Sequence, residues 1–217
     1  MNAACLNASA APAHESRGLP TGEDLRFLPG AGSPLGGARP KSVVRLADER
    51  LAIAKFPKPD DTRDIVAGEI LALALAEEAG IQVSEHRLVP VGGHSIAVIT
   101  RFDRIGVNRI PFISAMTLLG LPQSDPGVYT LLADGIRRFG HNVSKDLREL
   151  WRRLVFSLFA SNYDDHFRNY GFLMNEPGRW SLSPAYDINP VPEMDRFRGN
   201  KTAITELLRT GHWAPCE

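Results

Sequence analysis

The sequence predicts an α+β chain of two lobes, a small β-rich one followed by a helical one. Short strand patterns with turn residues between them fill 42–56 and 87–101 and enclose one apolar helix pattern. Helix patterns dominate 114–160. A polar loop and a short hairpin pattern then occupy 161–187. The 217 residues, 43% hydrophobic and 23% charged, are globular values with room for one large domain or two small lobes.

Lys and Arg number 25 and Asp and Glu 25, so the formal net charge is zero. That balance excludes a chain that is basic as a whole and coats nucleic acid, and equally an acidic tail protein. The two cysteines, Cys5 and Cys216, sit near the chain ends. They make no disulfide scaffold and have no zinc-ligand spacing, which points to a reducing cytoplasm. The N-terminus lacks the basic start and sustained apolar run of a signal peptide. The longest mostly apolar stretch, 70–76, is too short to span a bilayer and leads into Glu77 and Glu78, so no membrane association is expected.

Residues 1–30 are rich in Ala, Gly, Pro and Ser, with too few large apolar side chains to offset ordering entropy, and are expected to be disordered. The β-rich lobe is expected over 31–103. It opens with a Gly-rich loop, 30–41, that runs into a strand at 42–46. Asp48-Glu49-Arg50 makes a turn, 51–56 returns, and Pro57-Lys58-Pro59 stops it. Residues 65–78 read as a helix apolar on more than one side, with Gly80 as its stop. Gly92-Gly93 between 87–91 and 96–101 signals a hairpin.

The helical lobe is expected over 104–217. Residues 114–119 and 129–139 are short helix candidates. Ser144 is the predicted N-cap of a helix over 145–160, whose apolar face is Leu147, Leu150, Trp151, Leu154, Val155 and Leu158. The chain then enters the polar loop 161–169, a strand at 171–174, a turn at 175–178 and a return at 180–182, ending at Asp187.

Three features carry chemistry together. Asp164 and Asn169 stand five positions apart in the polar loop, Asp187 follows a short hairpin, and Lys55 lies on a strand after the Gly-rich loop. Phosphoryl transfer needs an acidic group for the nucleophile's proton, oxygen ligands for Mg²⁺, a Lys on the phosphates and a loop whose backbone N–H groups approach them. Protein kinases space the catalytic Asp and metal-binding Asn as D-x-x-x-x-N. That spacing selects Asp164 over Asp165. The Phe-Gly that follows the metal Asp in ordinary kinases is replaced by Ile188-Asn189-Pro190.

These motifs resemble the HipA family of bacterial serine/threonine kinase toxins. The resemblance rests on Leu35-Gly36-Gly37-Ala38-Arg39-Pro40-Lys41, Ile53-Ala54-Lys55-Phe56-Pro57 and Arg101-Phe102-Asp103-Arg104. It continues in Asn162-Tyr163-Asp164-Asp165-His166-Phe167-Arg168-Asn169-Tyr170-Gly171-Phe172 and Leu182-Ser183-Pro184-Ala185-Tyr186-Asp187. It covers roughly 31–192 and implies a bilobal, protein-kinase-like fold with ATP and Mg²⁺ as cofactors. By resemblance Asp164 is the catalytic Asp, Asn169 and Asp187 are Mg²⁺ ligands, and Lys55 contacts phosphate. Gly36, Gly37, Ala38 and Lys41 fall in the ATP-covering loop, Thr100 and Phe102 at the hinge beside the adenine, and His166 and Tyr186 near the phosphates. Glu69 is a candidate ion-pair partner for Lys55, because it lies on the helix after that strand.

The resemblance further implies an ATP-dependent serine/threonine protein kinase acting as the toxin of a toxin–antitoxin pair. Its partners would be a protein substrate such as an aminoacyl-tRNA synthetase and a HipB-like helix-turn-helix antitoxin, with DNA reached only through that antitoxin. Family members carry more chain on both sides of these motifs, so a truncated or short form with an incomplete helical lobe is expected. The corresponding alternative is a catalytically inactive remnant that binds nucleotide or a partner protein. A metal-dependent hydrolase built on Asp164, Asp165 and His166 explains neither the Gly-rich loop nor Lys55. In the family a loop serine is autophosphorylated; here Pro34 occupies that position, and Ser33 beside it is the candidate.

Taken singly, the same residues have plainer readings. Asp164-Asp165-His166 is a solvated turn, Lys55 a surface strand residue and Gly36-Gly37 an ordinary turn. Glu69 is an exposed helix position and His166 a structural hydrogen-bonding histidine. His86, His94, His141 and His212 read as surface residues. Trp151 and the segment 156–159 read as core, and Arg137-Arg138 and Arg152-Arg153 as solvated helix faces.

Overall fold

The computed structural model describes residues 39–191 and 202–204, in two compact units. The expected disordered segment 1–30 lies outside the described residues. Among the described residues, no helix is long and apolar enough to cross a membrane.

The first unit, which includes 84–108, holds a four-stranded antiparallel sheet. Its strands are β1 (Lys41–Arg45), β2 (Leu51–Lys55), β3 (His86–Val91) and β4 (His94–Thr100), in the order β1-β2-β4-β3. Both tight connections fall where the turn residues predict them. Glu49 takes a positive φ of 68° between β1 and β2, and Gly92 and Gly93 take 55° and 80° between β3 and β4. Val44, Leu46, Ala52, Ala54, Ile96 and Val98 form the core of one sheet face. A small ribbon, β5 (Arg104–Ile105) with β6 (Asn108–Arg109), turns at Gly106 and has no apolar pattern that would predict it.

Helix α1 (Ile65–Glu78) matches its predicted span, and the boundary between the units falls within it. Asp64 Oδ1 accepts the Ala67 N–H at 2.8 Å and caps its start. Gly80, at φ 75°, ends it: the Gly80 N–H reaches the Glu77 carbonyl and the Ile81 N–H the Ala76 carbonyl. The expectation of burial on several sides is corrected. Val66, Glu69, Ala72, Leu73 and Ala76 form one buried stripe, whereas Leu71 and Leu75 are exposed.

The second unit combines helices with an antiparallel sheet of β7 (Phe112–Ser114), β8 (Gly171–Glu176) and β9 (Arg179–Leu182), in that order. Strand β7 is too short to show an alternation in the sequence. Its helices are α2 (Ala115–Leu118), α3 (Tyr129–Phe139) and α4 (Val143–Phe159). Ser114 caps α2 by accepting the Thr117 N–H. Asn142, not Ser144, caps α4: its side chain accepts the Lys145 N–H, and the helix starts two residues before the predicted position.

The buried face of α4 is also corrected. It comprises Asp146, Glu149, Leu150, Arg153, Leu154 and Ser157, one residue earlier than the apolar pattern, or about 100° around the helix. Trp151 is 64% exposed and Phe159 83%, so neither is core, and Arg153 is buried rather than solvated. Four polar side chains win the interior because each finds a hydrogen-bond partner there, without which their burial would be unfavourable. The apolar core gathers Met116, Tyr129, Leu132, Ile136, Leu150, Leu154, Phe167 and Phe172.

Gly127 shows how tightly this core is set. At φ 69° it occupies left-handed space, and a Cβ there would lie 2.4 Å from the fully buried ring of Phe167. Backbone strain and overpacking add, so Gly127→Ala is expected to destabilise the fold by about 3 kcal/mol, read as a lowered urea midpoint.

Candidate active site

In the first unit, Lys55 sits at the end of β2 and Glu69 on the buried stripe of α1. Lys55 Nζ donates to Glu69 Oε1 at 2.5 Å, with the residues only 7% and 2% exposed. The plain readings of a surface lysine and an exposed glutamate are thereby corrected. A buried carboxylate and ammonium need each other, because either alone would carry a large desolvation penalty. The register pairs Lys41 with Lys55 across β1 and β2, so both lysines lie on one face of the sheet. Arg39, just after the Gly-rich segment, makes a two-pronged bond to Asp61 at 2.7 and 2.8 Å. That guanidinium holds the Asp61 carboxyl below its ordinary range. Ser33, Gly36, Gly37 and Ala38 lie outside the described residues.

Thr100 ends β4, where its N–H meets the Glu85 carbonyl at 2.8 Å, and Phe102 follows half-buried. The next residue is a brace. Asp103 accepts from Arg101 Nε and Nη2 at 2.8 and 2.6 Å and from Arg104 Nη1 at 2.9 Å. Burial pushes the Asp103 carboxyl up, but Arg101 and Arg104 outweigh it and leave it below its ordinary value.

In the second unit, α4 ends by delivering the polar loop. Ser161 takes φ 53°, its N–H bonds the Leu158 carbonyl, and the Asn162 N–H reaches the Ser157 carbonyl. This is the hydrogen-bond pattern of a glycine-terminated helix with serine in the left-handed position, a conformation unfavourable by roughly 1 kcal/mol or more. Within the loop Asn169 Nδ2 donates to the Asp164 carbonyl at 3.2 Å, and the Asn169 N–H to the His166 carbonyl at 2.8 Å. The first of these bonds fixes which end of the Asn169 amide carries its oxygen.

The neighbouring carboxylates have different surroundings. Asp164 is half-buried. Asp165 is 3% exposed and accepts the hydroxyls of Tyr129 and Tyr170, the latter at 2.9 Å. Burial pushes the Asp165 carboxyl above its ordinary range, although these hydroxyls favour its charged form. Burial, and then the nearby Asp165, raise the Tyr129 and Tyr170 phenols in turn. The Nδ1 of His166 is buried without a hydrogen-bond partner among the described residues, so that atom does not serve as a structural hydrogen bonder.

Asp187 is left-handed too, at φ 58°. Its segment is pinned on both sides. The Tyr186 hydroxyl donates to the Arg168 carbonyl at 2.7 Å, and the Asn189 N–H to Asn162 Oδ1 at 3.1 Å. Burial first, and then the Asp187 charge, raise the Tyr186 phenol.

The donor chemistry suits a hard cation. No group of three or more His, Cys, Asp or Glu side chains is set to hold a metal among the described residues, so no all-protein cage is offered there. The Asn169 amide oxygen and the Asp187 carboxylate are hard oxygen donors. Mg²⁺ shared with phosphates ordinarily takes only one or two carboxylates from the protein.

The family model for the HipA-like C-terminal domain matches residues 33–214. This chain belongs to that family. A Haemophilus influenzae relative named "Putative kinase" is 26% identical over 82% of this chain and 59% of its own length. "Putative kinase Y4dM" of Sinorhizobium fredii is 29% identical over 73% of this chain and 41% of its own. The chain thus spans about half the length of the curated relatives it matches. Among solved structures, HipA of Shewanella oneidensis, in complex with HipB and operator DNA, aligns with a TM-score of 0.66. That match has 19% identity and covers 91% of this chain and 50% of that one. The Helicobacter pylori proinflammatory kinase CtkA aligns at 0.56 with 18% identity, over 68% and 54%. The fold is therefore the mixed α/β fold of these kinase-like structures.

Several contacts around these residues are invisible to motif reading: the Arg39–Asp61 fork, the Asn162–Asn189 tie, and the buried Glu149 and Arg153 of α4. The partners of the fork and the tie lie 22 and 27 residues apart, and the partners that bury Glu149 and Arg153 from outside α4 are more distant still.

The Asp103 brace has a pH signature. Its folded pKa lies below the unfolded value, so its stabilisation is present above the unfolded carboxylate range, near ~3.9, and is lost as pH falls toward the folded value. Asp103→Asn is expected to lower stability by about 2 kcal/mol at pH 7 and to flatten the acid limb of the pH–Tm curve.

Proposed function

We propose that this HipA-like chain is a serine/threonine protein kinase that transfers the γ-phosphate of ATP. The observation that carries the reading is the buried Lys55–Glu69 ion pair, the strand-to-helix pair by which kinases hold a phosphate-binding lysine. An ordinary surface strand has no reason to bury that lysine.

In this reading Glu69 orients the Lys55 ammonium toward the phosphates, with Lys41 on the same sheet face. Gly36, Gly37 and Ala38 cover the nucleotide, Thr100 and Phe102 border the adenine, and His166 and Tyr186 stand near the phosphates. Asn169 and Asp187 hold Mg²⁺, which when bound neutralises charge on the transferring phosphates. Asp164 orients the substrate hydroxyl and accepts its proton as that oxygen bonds to the γ-phosphorus and the bond to the β-phosphate oxygen breaks, releasing ADP. Most of the acceleration comes from positioning and fixed charge. Asp165 is assigned to holding the loop, since its carboxylate is spent on two buried phenols.

The substrate is a protein serine or threonine, an aminoacyl-tRNA synthetase being the class that the family resemblance suggests. The HipA–HipB–operator neighbour supports a toxin role with a HipB-like antitoxin, through which DNA would be reached; the two cysteines near the chain ends suit a cytoplasmic location. Ser33 remains the candidate autophosphorylation site.

Transfer from [γ-³²P]ATP by the purified chain is the test. Asp164→Ala is expected to lower the rate about 10³-fold, the scale of a lost general base. Equal labelling by both proteins overturns the role of Asp164. ATP-dependent thermal stabilisation without any transfer gives instead a chain that binds nucleotide only.

A further inference from the structure

Helix α4 carries a buried arginine that none of the assigned roles uses. Arg153 is 5% exposed. Its Nε and Nη2 donate to Glu149 Oε1, one turn earlier, at 3.0 and 2.9 Å. Nη2 also donates to the Ser183 carbonyl at 2.7 Å. Nη1 is buried with no hydrogen-bond partner among the described residues. The side chain lines a cavity of about 20 Å³ together with Asn162, Asp165, Asn169 and Tyr186.

The Ser183 carbonyl lies four residues before Asp187, and Ser183, Ala185 and Tyr186 are each held by a bond to another part of the chain. The Ser183 N–H bonds the Gly171 carbonyl at 2.9 Å, and the Ala185 N–H bonds the Gln82 carbonyl at 2.7 Å. Glu149 Oε1, already fixed by Arg153, accepts the Gln82 N–H at 3.1 Å. Tyr186 then reaches across to Arg168, beside Asn169. The guanidinium therefore ties α4 to the segment leading into Asp187 and lines the same cavity as Asn169. Its planar fork makes this possible, since a lysine ammonium cannot hold a carboxylate and a carbonyl at such fixed angles.

We infer that Arg153 is a positioning residue for the metal site, setting the run that carries Asp187 against the loop that carries Asn169. The inference rests on the kinase reading for the identity of those two ligands. Groups behind metal ligands typically alter metal affinity 10- to 100-fold when removed.

The test is Mn²⁺ binding by the full 217-residue chain with a non-hydrolysable ATP analogue, followed by electron paramagnetic resonance. Wild type is compared with Arg153→Lys and with Glu149→Gln, which keeps the shape of the partner while removing its charge. Thermal melts and near-ultraviolet circular dichroism report folding, and analogue binding without metal is measured beside them. Arg153→Lys is expected to weaken Mn²⁺ binding about 10-fold or more, with Glu149→Gln intermediate, while metal-free analogue affinity stays within about twofold. Folded variants with wild-type Mn²⁺ affinity overturn the inference and leave the kinase reading standing. Equal loss of metal-dependent and metal-free binding also overturns it, as the mark of a merely structural role. Failure of wild type to bind Mn²⁺ with the analogue overturns the metal assignment and this inference together.

Discussion

The polar loop hangs on the carboxylate of Asp165. Tyr129 of α3 and Tyr170 at the entry to β8 both donate to it, and the Thr202 hydroxyl donates to its backbone carbonyl at 2.8 Å. One residue thereby ties two distant parts of the chain, and the entry to β8, to the loop. Leaving any of these buried groups unsatisfied would be unfavourable by about 1–3 kcal/mol, so the arrangement is held as a set. The adjacent Asp164 is half-buried, and its carbonyl accepts the Asn169 amide. Two consecutive aspartates thus differ in burial, Asp165 enclosed with two phenols and Asp164 half-buried.

Backbone strain follows the same division. Glu49, Ser161 and Asp187 are the non-glycine residues with positive φ among the described residues, and two of them bracket the candidate site. Ser161 starts the loop and Asp187 ends the return from the hairpin. The two are cross-tied, because the Asn189 N–H bonds Asn162 Oδ1 and the Val191 N–H bonds the Ser161 carbonyl. Such conformations persist only where surrounding bonds over-determine them, and these bonds do so.

What was legible in the sequence had a local cause. Gly92-Gly93 marked its hairpin, Gly80 ended α1, and the spacing of Asp164 and Asn169 picked out two groups that the fold links by a hydrogen bond. What was illegible depended on partners distant in sequence. The inward face of α4 could not be read from its apolar pattern, because Glu149, Arg153 and Asp146 bond to Gln82, Ser183 and Leu182. Glu69 read alone looked exposed, and only its place relative to the Lys55 strand marked it as that lysine's partner, fourteen residues away on another element. A hydrophobic period records only what water expels, and says nothing of polar groups that find partners inside.

The route of the chain has a consequence for its synthesis. Residues 75–83 belong to the second unit, although the strands of the first unit's sheet lie on both sides of them in sequence. Gln82 bonds to Glu149, 67 residues later, and to the still later Ala185. As the chain leaves the ribosome, the four-stranded sheet has all its strands once β4 emerges. The end of α1, with Ile81 beside it, must wait for α4 and the segment before Asp187. The sheet that carries Lys55 can therefore order during translation, before the segment that carries Asp187 has been made. A nascent chain paused near residue 110 would leave Ala76 and Ile81 without the cover they have in the fold, an address for chaperones.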